Sequence, residues 1–165
     1  MLYIRNTAAG DAPALAEIQR AAFLPLYERY HDPGNPCLRG VDDISGRLEN
    51  PVFRYFTILE GERTIGGVLW KCAGSTPFTA ALGEGEYYLQ RIFILPELQG
   101  RGSARRAILM CEARFSDARR LYVDFPEDLE KNRRCYASAG FQDSGRRLEV
   151  QPGLILAAYE KHLDP

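Results

Sequence analysis

The sequence predicts an α+β (mixed α/β) fold in which a mostly antiparallel sheet of about six to seven strands is flanked by about four helices. Residues 52–72 hold two runs of β-branched and aromatic residues around a turn, which is typical of a β-hairpin. Residues 87–115 combine an apolar strand, a glycine turn and an amphipathic helix, which predicts a βα unit. Residues 141–159 contain a further pair of strand-like runs. These features together indicate a mixed sheet.

The N-terminal part of the chain predicts one strand and two helices. Residues 2–5 read as a short strand, and Asp11 is a suitable N-cap for an amphipathic helix that extends to about Phe23. We expect Pro25 to disturb that helix, because proline lacks the N–H group that a helix interior uses. The segment that follows is irregular and polar-aromatic, apart from a second short helix near residues 42–48.

The rest of the chain predicts six strands and two helices. The strands are expected at residues 52–59, 64–72, 87–95, 121–125, 141–150 and 154–159. One helix begins after Gly102, where apolar residues recur on a single helical face. The other covers residues 132–139 and ends at Gly140, which suits the position after a helix C-terminus.

Composition indicates a single domain that spans residues 1–165. With 165 residues, of which 45% are hydrophobic, the chain can bury about two-thirds of its unfolded surface in one core. The 21 Lys and Arg and the 22 Asp and Glu give a formal net charge of -1. This balance favours neither nucleic acid nor a membrane as a partner, so any anion is expected to bind at a local site.

The cysteines and the N-terminus favour a cytoplasmic protein without a metal. Cys37, Cys72, Cys111 and Cys135 are far apart and lack the spacing of a zinc site, which fits reduced thiols in the cytosol. The apolar stretch at the N-terminus is too short for a secretory signal, and no segment supplies the roughly 20 apolar residues that cross a bilayer.

The turn of the βα unit has the chemistry of an anion site. Gly100 and Gly102 allow the backbone to approach a ligand closely. The first turn of the following helix offers unpaired N–H groups and the positive end of the helix dipole. Arg101, Arg105 and Arg106 add positive charge in or just after the turn. These features suit a diphosphate.

The turn matches neither of the two common phosphate-binding loops. A Walker loop requires a Lys after its second glycine, and no such Lys is present. A dinucleotide fingerprint requires a third glycine at the position of Arg105. The glycines could also serve only as a tight connection between strand and helix.

Two ordered motifs resemble those of the GNAT superfamily of acyl-CoA-dependent N-acyltransferases. Gln99-x-x-Gly102-x-Ala104, placed after an apolar strand and at the start of a helix, is similar to the signature Q/R-x-x-G-x-G/A of that family. Asn132, followed by Tyr136 and then by Gly140-Phe141, resembles a later motif of the family. The first strand and helix are similar as well, so the resemblance covers nearly the whole chain and is weakest over residues 27–50.

The resemblance implies a sheet that is splayed between its fourth and fifth strands, with acetyl-CoA (coenzyme A) as cosubstrate in the gap. The diphosphate would rest on the backbone of the glycine turn. The pantetheine arm would pair with main-chain groups of the fourth strand. By position, the coenzyme-binding residues are Phe93, Ile94, Gln99, Gly100, Arg101, Gly102, Ser103, Ala104 and Asn132.

Transfer of an acetyl group to an amine requires a proton donor for the departing thiolate and a neutral amine. By resemblance Tyr136 is the proton donor, although a tyrosine here could also simply fill the interface of the last helix. Glu86 is the candidate base, since it is the one carboxylate on the strand face that it shares with Tyr88 and Gln90. It could equally be a solvated surface residue, and a water chain could replace it.

Tyr27, Tyr30, His31 and Asp32 lie where members of that family usually build the acceptor pocket, and Tyr27, Tyr30 and His31 are the candidate substrate-binding residues. The aromatic and acidic mixture suits a cationic amine, and it equally suits a packed surface turn. We therefore expect an N-acetyltransferase that acts on a primary amine of a small molecule or protein, by direct attack in a ternary complex. The sequence does not indicate the acceptor.

Two other functions stay open on the sequence alone. The absence of an obvious base would fit a catalytically inactive acyl-CoA-binding sensor or interaction module. A nucleotide-binding α/β domain is disfavoured, because both phosphate-loop motifs are missing. The apolar run at residues 154–156 could pair across a homodimer or complete the core.

Overall fold

The computed structural model describes residues 1–164, which contain four α-helices and seven strands. The helices are α1 (Ala12–Tyr30), α2 (Val41–Glu49), α3 (Ser103–Arg114) and α4 (Glu130–Ser138). The strands are β1 (Leu2–Asn6), β2 (Phe53–Glu60), β3 (Arg63–Lys71), β4 (Glu86–Ile94), β5 (Arg120–Pro126), β6 (Gln142–Gln151) and β7 (Leu154–His162). A single turn of 3-10 helix precedes each of α1, α2 and α3.

The seven strands form one sheet in the order β1-β2-β3-β4-β5-β7-β6. All neighbouring strands are antiparallel except β4 and β5, which are parallel. Parallel neighbours need a long crossover connection, and here the segment that contains α3 provides it. The predicted α+β class, with a mostly antiparallel sheet and about four helices, is confirmed.

Strands β4 and β5 separate halfway along β4. Their pairing extends only from Glu86 opposite Arg120 to Leu89 opposite Val123. On the other side of β4, the register with β3 skips Gln90, which therefore forms a β-bulge. A bulge bends its strand and increases the local twist. The second half of β4 consequently leaves β5, and this separation is the splay that the sequence resemblance implied.

Large apolar side chains hold a layer of helices on each face of the sheet. On one face, α3 and α4 cover a core that includes the fully buried Trp70, Ile108 and Leu121. On the other face, α1 and α2 insert Leu15 and Ile44, which are also fully buried. Burial of this apolar surface is the dominant stabilising term of the fold.

Helix α1 continues through Pro25 and ends at Tyr30, so the prediction that this proline disturbs the helix was wrong. Proline removes one helical hydrogen bond, but tertiary contacts hold the last turns in place. The side chains of Arg29 and Tyr30 both contact Asp128, and Gln151 Nε2 donates to the Tyr30 carbonyl at 2.7 Å. These contacts attach the end of α1 to the β5–α4 loop and to β6.

The apolar run at residues 154–156 lies inside the sheet. Strand β7 has β5 on one side and β6 on the other, and Leu154 is buried. Ile155 and Leu156 are partly buried, and the backbone of the run pairs with strands of the same chain. Within residues 1–164 the edges of the sheet are β1 and β6.

The cysteines and the lengths of the helices are two further features of the structure. All four cysteines are free thiols; Cys37 and Cys111 are buried, and Cys72 and Cys135 are partly buried. No helix within residues 1–164 has both the length and the hydropathy to cross a membrane.

Candidate active site

The gap between β4 and β5 opens into a cleft of about 530 Å³. Its wall is built from α1, the end of β4, the turn before α3, the start of α3, and α4. Most of the residues predicted to bind the coenzyme line it, together with the predicted proton donor: Phe93, Ile94, Gln99, Gly100, Gly102, Ser103, Ala104, Asn132 and Tyr136. Arg101 lies in the same turn, but it is exposed and is not part of the wall. The structure therefore brings both sequence motifs to one cavity.

The two glycines of the turn adopt a conformation that other residues avoid. Gly100 has φ 81° and Gly102 has φ 78°, both in the left-handed region. A Cβ atom placed on either residue would have no atom within 4 Å. The glycines are thus required by the backbone conformation, and the space beside them is open to a ligand.

The start of α3 supplies donors for an anion. Gly102 is the N-cap, and it has no side chain to bond the first N–H groups of the helix. These N–H groups and the positive end of the helix dipole lie at the cleft wall. Three cationic side chains line the same cavity, namely Arg105, Lys131 and Arg134. This donor set fits a diphosphate group.

The side chain of Gln99 fixes the turn to its surroundings. Its Nε2 donates to the Ile94 carbonyl at 3.0 Å, and its Oε1 accepts from Lys131 Nζ at 3.0 Å. The Gln of the first motif therefore links β4, the glycine turn and α4. It shapes the site by holding the three wall segments together.

The backbone groups of β4 face alternately towards β3 and towards the gap. The N–H of Leu95 donates to β3, and alternate residues of a strand direct their backbone groups to the same side. Phe93 therefore also faces β3, whereas Ile92 and Ile94 face the gap. Phe93 contributes its ring to the cleft, 6.2 Å from the ring of Phe23. Of the groups that face the gap, the Ile94 carbonyl also accepts the hydrogen bond from Gln99 Nε2.

Tyr136 presents a protonated hydroxyl to the cleft. The residue is 7% exposed, and its ring packs at 5.2 Å from that of Phe125 and 6.1 Å from that of Phe141. Burial, with smaller contributions from Cys135 and Asp124, raises the pKa of the phenol above its ordinary value. No group within residues 1–164 hydrogen-bonds this hydroxyl, so it is available to a ligand while the ring fills the helix interface.

Glu86, the candidate base of the sequence analysis, lies at the start of β4 and is not among the residues of the cleft wall. Its carboxylate accepts from the N–H of Gly83 at 2.7 Å and from the hydroxyl of Tyr122 at 2.8 Å, with Arg120 3.9 Å away. The hydrogen bond from Gly83, followed by that from Tyr122, lowers the pKa of the carboxyl. A carboxylate stabilised in this way is a weak base, and it anchors the start of β4.

The three predicted acceptor-site residues lie at the end of α1, beyond the cleft wall. The hydroxyl of Tyr30 donates to Asp128 at 2.5 Å. His31 follows in the left-handed region, and its ring lies 5.5 Å from the ring of Tyr27. These residues hold the end of the helix. Helix α1 reaches the cleft further towards its N-terminus, through Ala22, Phe23, Pro25 and Leu26.

Two parts of the cleft wall were not predicted from the sequence, namely the residues of α1 and the cations of α4. Lys131 and Arg134 are three residues apart in a helix, so they share a face, and this spacing was a usable signal. The contribution of α1 had no such signal, because it depends on how α1 packs across the end of β4, and for Leu26 also on the continuation of the helix through Pro25.

The sequence matches the model of the acetyltransferase (GNAT) family over residues 13–141. This range includes all of α1 but its first residue, the glycine turn, Tyr136 and every residue of the cleft wall. No curated protein matches the sequence.

Solved structures share the fold over almost the whole chain. An acetyltransferase from Thermus thermophilus is 24% identical, with a TM-score of 0.72 over 99% of this chain and 97% of that one. The PaiA N-acetyltransferase from Thermoplasma acidophilum, in complex with coenzyme A, is 15% identical, with a TM-score of 0.71 over 99% of both chains. AAC(6')-Ib, in complex with ribostamycin and coenzyme A, is 15% identical, with a TM-score of 0.76 over 98% of this chain and 93% of that one. The chain therefore belongs to the acetyltransferase (GNAT) family of acyl-CoA-dependent enzymes, with acetyl-CoA as cosubstrate.

Proposed function

We propose that the protein, as a single N-acetyltransferase domain over residues 1–165, transfers the acetyl group of acetyl-CoA to a primary amine by direct attack in a ternary complex. The observation that supports this most is the cleft between β4 and β5. It combines a glycine turn, an uncapped helix N-terminus and a free strand edge with a protonated tyrosine. A diphosphate attached to an extended amide arm and a reactive sulfur group would use all four.

The wall residues divide into three binding roles. The N–H groups from Gly100 to Ala104 would hold the diphosphate, and the nearby cations would balance its charge. Main-chain groups of Ile92 and Ile94 would pair with the pantetheine arm as an added strand does. Asn132 would contact the arm from the side of α4. The bound coenzyme supplies the activated thioester.

The geometry supports direct attack over an acyl-enzyme route. Cys135 is the one thiol in the described cleft wall, and burial raises its pKa. A thiol that is protonated at neutral pH is a poor nucleophile. Tyr136, in contrast, holds a proton that the departing sulfur requires, and its hydroxyl has no competing partner within residues 1–164. We assign Tyr136 as the proton donor.

An acceptor with a primary amine is supported by the similar structures. The AAC(6')-Ib structure shows that this fold accommodates ribostamycin together with coenzyme A. A small molecule with amino groups is accordingly the first class of acceptor to examine for this chain. Protein N-termini are the second class.

The test is an acetylation assay with the purified full chain. Acetyl-CoA is mixed with spermidine, ribostamycin, free lysine or a peptide with an N-terminal alanine, thiol release is followed, and the acceptor is weighed by mass spectrometry. We expect release of coenzyme A together with the mass of one added acetyl group on at least one amine. Tight binding of acetyl-CoA without acetylation of any amine would instead support the inactive sensor.

A further inference from the structure

A second, smaller cavity lies where β4 and β5 begin to separate. Its volume is about 20 Å³, which is enough for one water-sized group. Residues of the β3–β4 loop, β4, β5, β6 and β7 line it, and Tyr88 and Asp124 are among them. Neither residue belongs to the wall of the coenzyme cleft.

Asp124 is the first residue of β5 beyond its last pair with β4, Leu89 opposite Val123. Val123 and Phe125 are buried in the core under α3 and α4, so the alternation of the strand directs Asp124 to the opposite face. There its Oδ2 atom accepts a hydrogen bond from the hydroxyl oxygen of Tyr88, at a distance of 2.8 Å. The side chain therefore stands at the point where the gap opens, on the face of the sheet opposite α3 and α4.

The carboxylate of Asp124 lacks a positive partner. Within residues 1–164 the hydroxyl of Tyr88 is its one hydrogen-bond donor, and no Lys, Arg or His approaches it within 4.0 Å. Burial raises the pKa of Asp124 to about 6, although the bond from Tyr88 acts in the opposite direction. An ionised carboxylate in such surroundings is stabilised by an incoming cation.

The other charged groups around the small cavity already have partners. Arg146 donates to the Phe78 carbonyl at 2.6 Å and lies over the Phe78 ring, and Glu160 is 3.3 Å from His162. The titratable and charged groups that surround Asp124 are Tyr88, Tyr122, Tyr136, Tyr159, Arg146 and Glu160. Asp124 is thus the carboxylate in this cavity that is free to engage a ligand.

We propose that Asp124 is the catalytic base, and that the cavity beside it receives the ammonium group of the acceptor. The inference rests on the proposed acetyltransferase function. One N–H bond of the ammonium breaks and an O–H bond forms on Asp124, which leaves the nitrogen with a lone pair. That lone pair forms the new C–N bond as the C–S bond breaks and the sulfur takes the proton of Tyr136. The nitrogen then returns one proton to Tyr136, and Asp124 releases its proton to solvent.

The relative positions of the proton donor Tyr136 and the proposed base Asp124 support this assignment. Phe125, the neighbour of Asp124 in β5, packs on the ring of Tyr136, and the charge of Asp124 contributes to the raised pKa of that phenol. The two groups therefore lie on opposite sides of the same opening in the sheet. An amine between them would meet its base on one side and the thioester on the other.

The first test is the pH dependence of kcat/KM for the best amine of the acetylation assay. Asp124 accepts a proton only when it is ionised, so activity should rise with pH through an apparent pKa near 6. Asp124→Asn should lose about 10²-fold or more in kcat/KM and lose this limb of the profile. Asp117→Asn is the matched control, because Asp117 also accepts a tyrosine hydroxyl, that of Tyr87 at 2.7 Å, outside both cavities.

The second test does not depend on turnover. The carboxyl carbon of Asp124 is titrated by ¹³C NMR in the protein saturated with coenzyme A, with n-butylamine or n-butanol added. The cationic amine should lower the pKa of Asp124 and the alcohol should not. An unchanged titration with n-butylamine, or equal activity of the Asp124→Asn and Asp117→Asn variants, would overturn the inference while leaving the acetyltransferase function intact. Failure of the wild-type protein to acetylate any amine would overturn both.

Discussion

At the scale of single residues, Gly102 combines two requirements in one position. Its left-handed φ excludes a comfortable side chain, and it forms the N-cap of the helix whose first N–H groups line the cleft. Gly153, in the turn between β6 and β7, has the same kind of φ, at 84°, and equally open surroundings. A comparison of the same substitution at the two glycines therefore distinguishes the effect of backbone strain on stability from the effect on ligand binding.

We predict that Gly102→Ala and Gly153→Ala each lose about 1–2 kcal/mol of stability, since alanine strains a left-handed backbone. Only Gly102→Ala should also weaken binding of coenzyme A, by about tenfold or more, which corresponds to about 1.4 kcal/mol. Urea denaturation and calorimetric titration measure the two effects. Equal affinity of both variants would show that the diphosphate does not rest on this turn.

For Tyr136→Phe we predict a kcat lower by about 10²-fold or more, because the sulfur loses its proton donor. Stability and the affinity for acetyl-CoA should change little, since the hydroxyl has no hydrogen bond within residues 1–164. Steady-state kinetics and thermal unfolding provide the comparison.

The control for that substitution is Tyr87→Phe. Tyr87 is also buried, but its hydroxyl donates to Asp117 at 2.7 Å, outside the cleft. Its removal should cost about 1 kcal/mol of stability and leave kcat unchanged. Equal kcat values for the Tyr136→Phe variant and the wild type would remove Tyr136 from the chemistry.

Residue identity alone indicated the glycine turn, Gln99 and Tyr136, because each belongs to a motif with a local mechanism. It did not indicate that Glu86 lies outside the cleft wall, because this depends on where the pairing of β4 with β5 stops. Residue identity also did not indicate Asp124. Its carboxylate lies at an opening of the sheet only because the bulge at Gln90 separates β4 from β5 beside it.

At the scale of elements, the junction of β3 and β4 determines where the cleft begins. Gly66 faces β4 so closely that a Cβ there would lie 2.1 Å from the carbonyl oxygen of Phe93. That oxygen belongs to a backbone paired with β3, so it cannot move without displacing the part of β4 that lines the cleft. A glycine at this position is therefore a packing requirement of the site.

We predict that Gly66→Ala destabilises the protein by about 1–3 kcal/mol, the usual effect of overpacking. Gly46→Ala is the control. Gly46 lies within α2, and a methyl group added there would have no atom within 4 Å, so alanine should stabilise the helix by up to about 1 kcal/mol. Shifts of the urea midpoint in the same direction for both variants would contradict this description of the junction.

Elements with strong local signals were predictable from the sequence. The hairpin of β2 and β3 and the unit of β4 and α3 follow from side-chain pattern and turn chemistry, and both are present. The length of α1 was not predictable, because it depends on contacts of Arg29, Tyr30 and Gln151 with residues far away in the chain. Tertiary contacts of this kind override the local preference of Pro25.

At the scale of the whole molecule, the proposed proton donor and the proposed base lie on opposite faces of the sheet. Tyr136 packs in the core under α3 and α4, whereas Asp124 and the small cavity lie on the opposite face, and the cleft wall includes residues of α3, α4 and α1. A net charge of -1 gives no general attraction for an anionic cosubstrate, so binding must depend on the local donors of the glycine turn and α4.

The most direct test of this description is a thermal-shift titration of the full chain with acetyl-CoA, coenzyme A and ATP. ATP offers phosphates and adenine, but it lacks the pantetheine arm that the free edge of β4 would bind. At 100 times its dissociation constant, acetyl-CoA should stabilise the folded state by about 2.7 kcal/mol, which is several degrees for a domain of this size. Coenzyme A should act similarly and ATP should have much less effect. Stabilisation by ATP alone, or by none of the three, would contradict the assignment of the cleft to acetyl-CoA.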